Sequence, residues 1–140
     1  MPKFPSVDWF ETLREEVNQD PRFRALGSCD AVVGVKVGAR VFSLTFEAFE
    51  CSGVAEIDVP GLRDVDFYLE MSPKEWREVI QNIRANGKAD PKHTLNSLDL
   101  TRPGGILRSK DALLRLSFYR YYLSLQFFFD AAAKVETAFA

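Results

Sequence analysis

The chain is poor in the residues that most often carry catalysis. Among its 140 residues there is one histidine, His93, so sites built on several imidazoles are out of reach. There are two cysteines, Cys29 and Cys51, without CxxC spacing, which excludes a disulfide scaffold and predicts two reduced thiols. No GxGxxG, P-loop, GxSxG or HExxH pattern occurs, so no cofactor and no metal site is expected. A formal net charge of −2 gives no electrostatic case for nucleic acid. No uncharged stretch approaches the ~18 residues of a spanning helix. The nearest candidate, 116–133, is interrupted by Arg120 and Asp130, so no stable membrane insertion is expected. Nor does the start, Met1 to Asp8, hold the apolar core of a signal peptide, which predicts a cytoplasmic protein.

What is present is an ordinary globular balance, 46% apolar and 27% charged, in a length that suits one domain over residues 1–140. A first helix is predicted from Ser6 as N-cap, with Val7, Phe10, Leu13 and Val17 at helical spacing, interrupted at Asp20-Pro21. Four alternating runs then read as strands of an antiparallel meander. Val33, Val35 and Val37 share one face, as do Phe42, Leu44 and Phe46. Phe49, Cys51, Gly53, Ala55 and Ile57 form a third set, and Val65, Phe67, Leu69 and Met71 a fourth. Ser72-Pro73-Lys74-Glu75 is a capping box that opens a helix with Trp76, Val79, Ile80 and Ile83 on one side and Gly87 as its stop. A short fifth strand is expected within 93–100, then a turn at Arg102-Pro103-Gly104-Gly105. Ser109 is expected to cap a final helix of roughly 25 residues. The predicted class is α+β, a mostly antiparallel sheet of about five strands with helices packed on one face.

Few residues invite chemistry. His93 lies in a polar, turn-like stretch and reads as a surface or cap histidine rather than an acid/base. Cys51 falls on an apolar strand face, where Cys behaves as a small hydrophobe. Cys29, near a strand start, is expected to be more open, without a basic neighbour to activate it. The acidic pairs Glu15-Glu16 and Asp64/Asp66 read as solvated faces.

The final helix is the informative segment, because aromatics gather there. At 3.6 residues per turn, Leu114, Phe118, Tyr121, Leu125 and Phe128 form one row. Leu113, Leu116, Leu123 and Phe127 form a second, broken by Arg120. Arg115, Tyr119, Tyr122, Gln126 and Phe129 form a third, half-polar row. Roughly two-thirds of the circumference is apolar, more than the stripe a surface helix needs. A sheet covers one row; the second calls for an apolar ligand, a partner chain or a membrane surface. The sequence flanks hold no Lys/Arg run, which ranks the membrane last.

The strand-to-helix passage Val65-Asp-Phe-Tyr-Leu-Glu-Met-Ser72 followed by Pro73-Lys-Glu-Trp76 and Val79-Ile80, with Gly87 near the helix end, resembles the sterol carrier protein type 2 (SCP2) family. The order of helix, strands and helix before and after it is similar as well. The resemblance implies a five-stranded sheet covered on one face by helices, with a tunnel between them for a lipid, fatty acyl or sterol-like molecule. Carried over, Trp76 and Ile80 and the apolar row of the final helix would line that tunnel, with Phe42, Leu44 and Phe46 as its sheet side. The ligand-binding set expected is therefore Phe42, Leu44, Phe46, Trp76, Ile80, Leu114, Phe118, Tyr121, Tyr122, Leu125 and Phe128, with Arg120 and Tyr122 as partners for a carboxylate or hydroxyl. The chain departs from the family in a longer, more polar 88–108 stretch, a longer aromatic last helix and a Thr-Ala-Phe-Ala ending instead of a peroxisomal signal. Two other functions fit the sequence: a non-catalytic accessory subunit or homodimer that uses the aromatic helix as its seam, and a small pocket enzyme on a cone-like α+β fold.

Overall fold

In the computed structural model, which describes residues 1–140, the elements follow from local chemistry. Strand β1 (Lys3–Phe4) leads into helix α1 (Val7–Gln19), where the Ser6 side chain accepts the Trp9 N–H. Trp9, Phe10, Leu13 and Val17 are its buried side. The short α2 (Pro21–Ala25) restarts on Asp20, whose carboxylate accepts the Arg22 N–H. Strands β2 (Ala31–Val37), β3 (Arg40–Glu47) and β4 (Glu50–Ile57) form an antiparallel meander. A 3-10 segment (Val59–Asp64) precedes β5 (Phe67–Met71). Helix α3 (Pro73–Asn86) opens with the full capping box of Ser72 and Glu75 and closes on Gly87 at φ +80°, a left-handed cap that favours glycine. Then follow α4 (Leu95–Thr101), the two-residue β6 (Leu107–Arg108), α5 (Ala112–Arg120), α6 (Tyr122–Asp130), a 3-10 turn (Ala131–Lys134) and β7 (Ala138–Phe139).

The sheet order is β4-β3-β2-β5-β6. The expected four-strand meander therefore holds for three strands only. The fourth, β5, lies on the far side of β2 and runs parallel to it, with Val33 opposite Phe67 and Val35 opposite Leu69. The 3-10 segment carries the chain across the outer face to reach that place. Gly34 lets it pass: a Cβ there would stand 2.9 Å from Leu62 Cδ2 and 2.7 Å from Tyr68 Cβ.

The third run also departs from simple alternation. Phe46 faces Cys51 but Thr45 faces Gly53, so Ser52 is the extra residue of a bulge. Beyond it Val54, opposite Leu44, turns to the core, and Ala55 is exposed. The expected strand within 93–100 is a helix, α4, with Thr94 as its cap; the fifth strand is β6, antiparallel to β5. The expected single final helix is two. Asp111, not Ser109, caps it, and Tyr121 at φ −106°, ψ 14° breaks it into α5 and α6. The Ser109 hydroxyl instead donates to the Asp66 carbonyl at 2.9 Å.

One core fills the space between the sheet and α1, α3 and α6. Phe42 packs on Phe10 with ring centroids 4.9 Å apart, Phe46 on Phe128 at 5.6 Å, and Trp76 stacks on Phe129 at 5.4 Å. The Trp76 indole N–H donates to the Lys36 carbonyl at 2.9 Å, which meets the polar requirement of a buried Trp. The two ends of the chain pair as parallel strands β1 and β7, and the Trp9 indole donates to Thr137 Oγ1 at 3.0 Å. No helix is long and apolar enough to cross a membrane.

Candidate binding site

The eleven expected site residues fall into three places. Phe42, Leu44 and Phe46 on β3 and Trp76 and Ile80 on α3 are fully buried. So are Leu125 and Phe128 of α6, which press on that inner group. Phe118 of α5 is also fully buried, but elsewhere: its ring stands edge-on to Phe67 of β5 at 5.9 Å. Leu114, Tyr121 and Tyr122 are half-buried around it. These groups pack on one another directly, and none of the eleven lines any of the four principal hollows of the molecule. Phe42 is covered by α1 rather than by the last helix.

The polar partners expected in the site are used differently. Arg120 is exposed, with its guanidinium 5.3 Å from the Tyr121 ring centre. The Tyr122 hydroxyl donates to Gln126 Oε1 at 3.3 Å. Gln126 belongs to a polar chain inside α6. Its Oε1 accepts the Leu95 N–H at 2.8 Å and its Nε2 donates to Asp130 Oδ1 at 3.0 Å. Asp130 in turn accepts the Ala89 N–H at 3.0 Å. Burial pushes the Asp130 carboxyl above the usual carboxylate range, against those two hydrogen bonds. The sequence shows Asp130 only as a charge within an apolar run. Its role in pinning the 88–95 connection depends on contacts from distant residues.

The residues with chemical potential are engaged structurally. His93 Nδ1 lies 2.7 Å from Asp90 Oδ1, and Nε2 lies 3.4 Å from Glu78 Oε1. The hydrogen bond with Asp90 raises the His93 pKa, and the same contact lowers that of Asp90 to about 2. No hydrogen bond joins His93 to a serine, threonine or cysteine. Both thiols are buried, Cys29 included, and burial pushes each up to about 12. Asp66, read as a solvated residue, accepts the Val32 N–H at 2.9 Å.

Two hollows have contents of interest. One, of about 220 Å³, lies where α1, α3 and α6 end, among Asp20, Arg22, Lys88, Asp130 and Lys134. Asp20 already pairs with Arg22 at 2.7 Å, so its charges are largely balanced. The other, of about 380 Å³, opens at the foot of α5. Its floor includes Val65 and Phe67, and Arg63, Arg108 and Lys110 stand around it. Arg108 also pairs with Glu70 at 3.5 Å, and Arg63 and Lys110 have no carboxylate partner. Lys110 Nζ contacts the Arg63 carbonyl. Sequence reading missed this basic group because Arg63 is distant from the other two along the chain.

Helix α5 is only lightly embedded over the sheet. Of its nine residues only Phe118 is buried. Compared with protein-family models, curated proteins and solved structures, the chain matches none.

Proposed function

We propose that this domain binds a hydrophobic small molecule with an anionic end, of the lipid or fatty acyl kind, between β5 and a lifted α5, as the SCP2 resemblance suggests. The observation that carries the reading is the attachment of α5 through one buried side chain, Phe118, beside a helix break at Tyr121. The rest of the helical layer is held by packed aromatic pairs, so a ligand enters where one ring has to move. Displacing Phe118 uncovers Phe67 as an apolar floor. The tail replaces the ring, and apolar burial at about 25 cal/mol per Å² supplies most of the affinity. A carboxylate or phosphate end then meets Arg63, Arg108 and Lys110 at the adjoining hollow, where charge-assisted hydrogen bonds orient it. The mechanism is equilibrium binding and release, with α5 as the cover.

The test is a titration with a fluorescent fatty acid beside native mass spectrometry and organic extraction of the purified protein. Saturable uptake at one per chain, weakened by Lys110→Gln, is expected. A clean unliganded mass with no saturable uptake overturns the reading.

A further inference from the structure

The outward side of α5 is as apolar as its inward side. Leu113 is 77% exposed, Leu116 57%, Tyr119 46% and Leu123, just past the break, 64%. Helical geometry puts Leu113, Leu116 and Tyr119 on one face of α5, opposite Phe118, and Leu123 is exposed at the start of α6. Arg115 and Arg120 are exposed on the same element, and neither they nor Lys110 forms an ion pair with a carboxylate. Between Leu107 and Leu123 the chain holds Arg108, Lys110, Arg115 and Arg120 against Asp111 alone, while the whole protein is acidic at −2. Arg108 pairs with Glu70 at 3.5 Å, so the unpaired cations beside this leucine ridge are Lys110, Arg115 and Arg120, on a chain of opposite net sign.

We infer that this face of α5 docks the protein on an anionic lipid surface, peripherally, with the leucines entering the boundary between headgroups and acyl chains. Charge complementarity and exposed apolar area are the two terms that bind an interfacial helix, and this face offers both. A second copy of the chain fits less well, because a two-fold contact on this ridge brings the unpaired Arg115 and Arg120 charges of both copies into one interface. The long stems of Arg115 and Arg120 let their charged ends reach headgroups while the leucines go deeper. The pair of Arg63 and Lys110 at the foot of the helix extends the same charge. It supplies the cation cluster that the sequence flanks lack, because it is assembled by the fold.

The inference stands apart from ligand binding under α5 and is tested separately, by flotation of the full chain with vesicles. Vesicles of phosphatidylcholine alone are compared with vesicles that also contain phosphatidylserine. Flotation is expected only with the anionic vesicles, and added salt should reverse it. Arg115→Gln and Arg120→Gln should each weaken binding about fivefold. Leu116→Ser with Leu123→Ser should abolish it, with an unchanged denaturation midpoint because both side chains are exposed, and with fatty acid uptake in solution retained. Equal flotation with neutral vesicles, no flotation with anionic ones, or indifference to these substitutions overturns the inference. So does a dimer in sedimentation that the paired leucine substitutions dissolve.

Discussion

Replacing Phe118 by alanine separates a movable cover from an ordinary core helix. Phe118 is fully buried and is the only buried residue of α5. Full burial of a phenylalanine stabilises by about 1.5–3 kcal/mol, so the substitution should favour the detached form of α5 by about 2 kcal/mol, a roughly thirtyfold rise in opening. The loss of global stability is capped at the free energy of that opening, because beyond it the detached form becomes the native one. Phe128 gives the contrast. It lies between Phe46 and Phe129, both at 5.6 Å, and Phe128→Ala should cost about 3–5 kcal/mol of whole-domain stability. The assay is native-state amide hydrogen exchange beside a urea titration. Phe118→Ala should strip protection from residues 113–120, leave the slow amides of β2 and β3 nearly intact, and shift the urea midpoint by less than half as much as Phe128→Ala. Equal midpoint shifts, with protection lost together in α5 and the sheet, would refute the reasoning.

Two further outcomes follow from local geometry. His93 has a raised pKa, chiefly from its hydrogen bond with Asp90, so its contribution to stability is fully present below the unfolded histidine value and is lost as pH rises through the folded one. His93→Gln should flatten that part of the stability profile, and an NMR titration of the single imidazole should show a midpoint above the ordinary histidine value of about 6.5. Gly34→Ala should destabilise by about 1–3 kcal/mol, because the new methyl meets Leu62 and the Tyr68 Cβ. Gly53→Ala, where nothing lies within 4 Å, is the control, and thermal melts compare the two.

Much of the fold was legible because its causes are local. The capping box at Ser72 and the stripe from Trp76 to Ile83 determine α3 within one stretch of chain. The alternation from Val33 to Val37 and from Phe42 to Phe46 likewise names the core face of β2 and β3. The candidate site was legible as composition only. Its residues were named as the lining of a tunnel, and in the fold most of them fill one another's space, because apolarity marks a side chain as buried without saying whether a ring or a ligand buries it.

By itself, then, the sequence determined an α+β class, three of the four strands it read as one meander, the apolar sides of α1 and α3, and an unusual excess of apolar surface near the end. Tertiary structure alone decided where β5 goes, since parallel pairing with β2 across the sheet depends on Gly34 admitting Leu62, a contact no local pattern encodes. The helix α4 that replaces the strand expected within 93–100 starts on a local cap, Thr94, but tertiary structure broke the final helix at Tyr121 and buried Cys29. It also chose which apolar row of that helix meets the sheet. Periodicity shows that several rows are apolar; only packing shows that Phe118 turns inward on Phe67 while Leu113, Leu116 and Leu123 are left facing out.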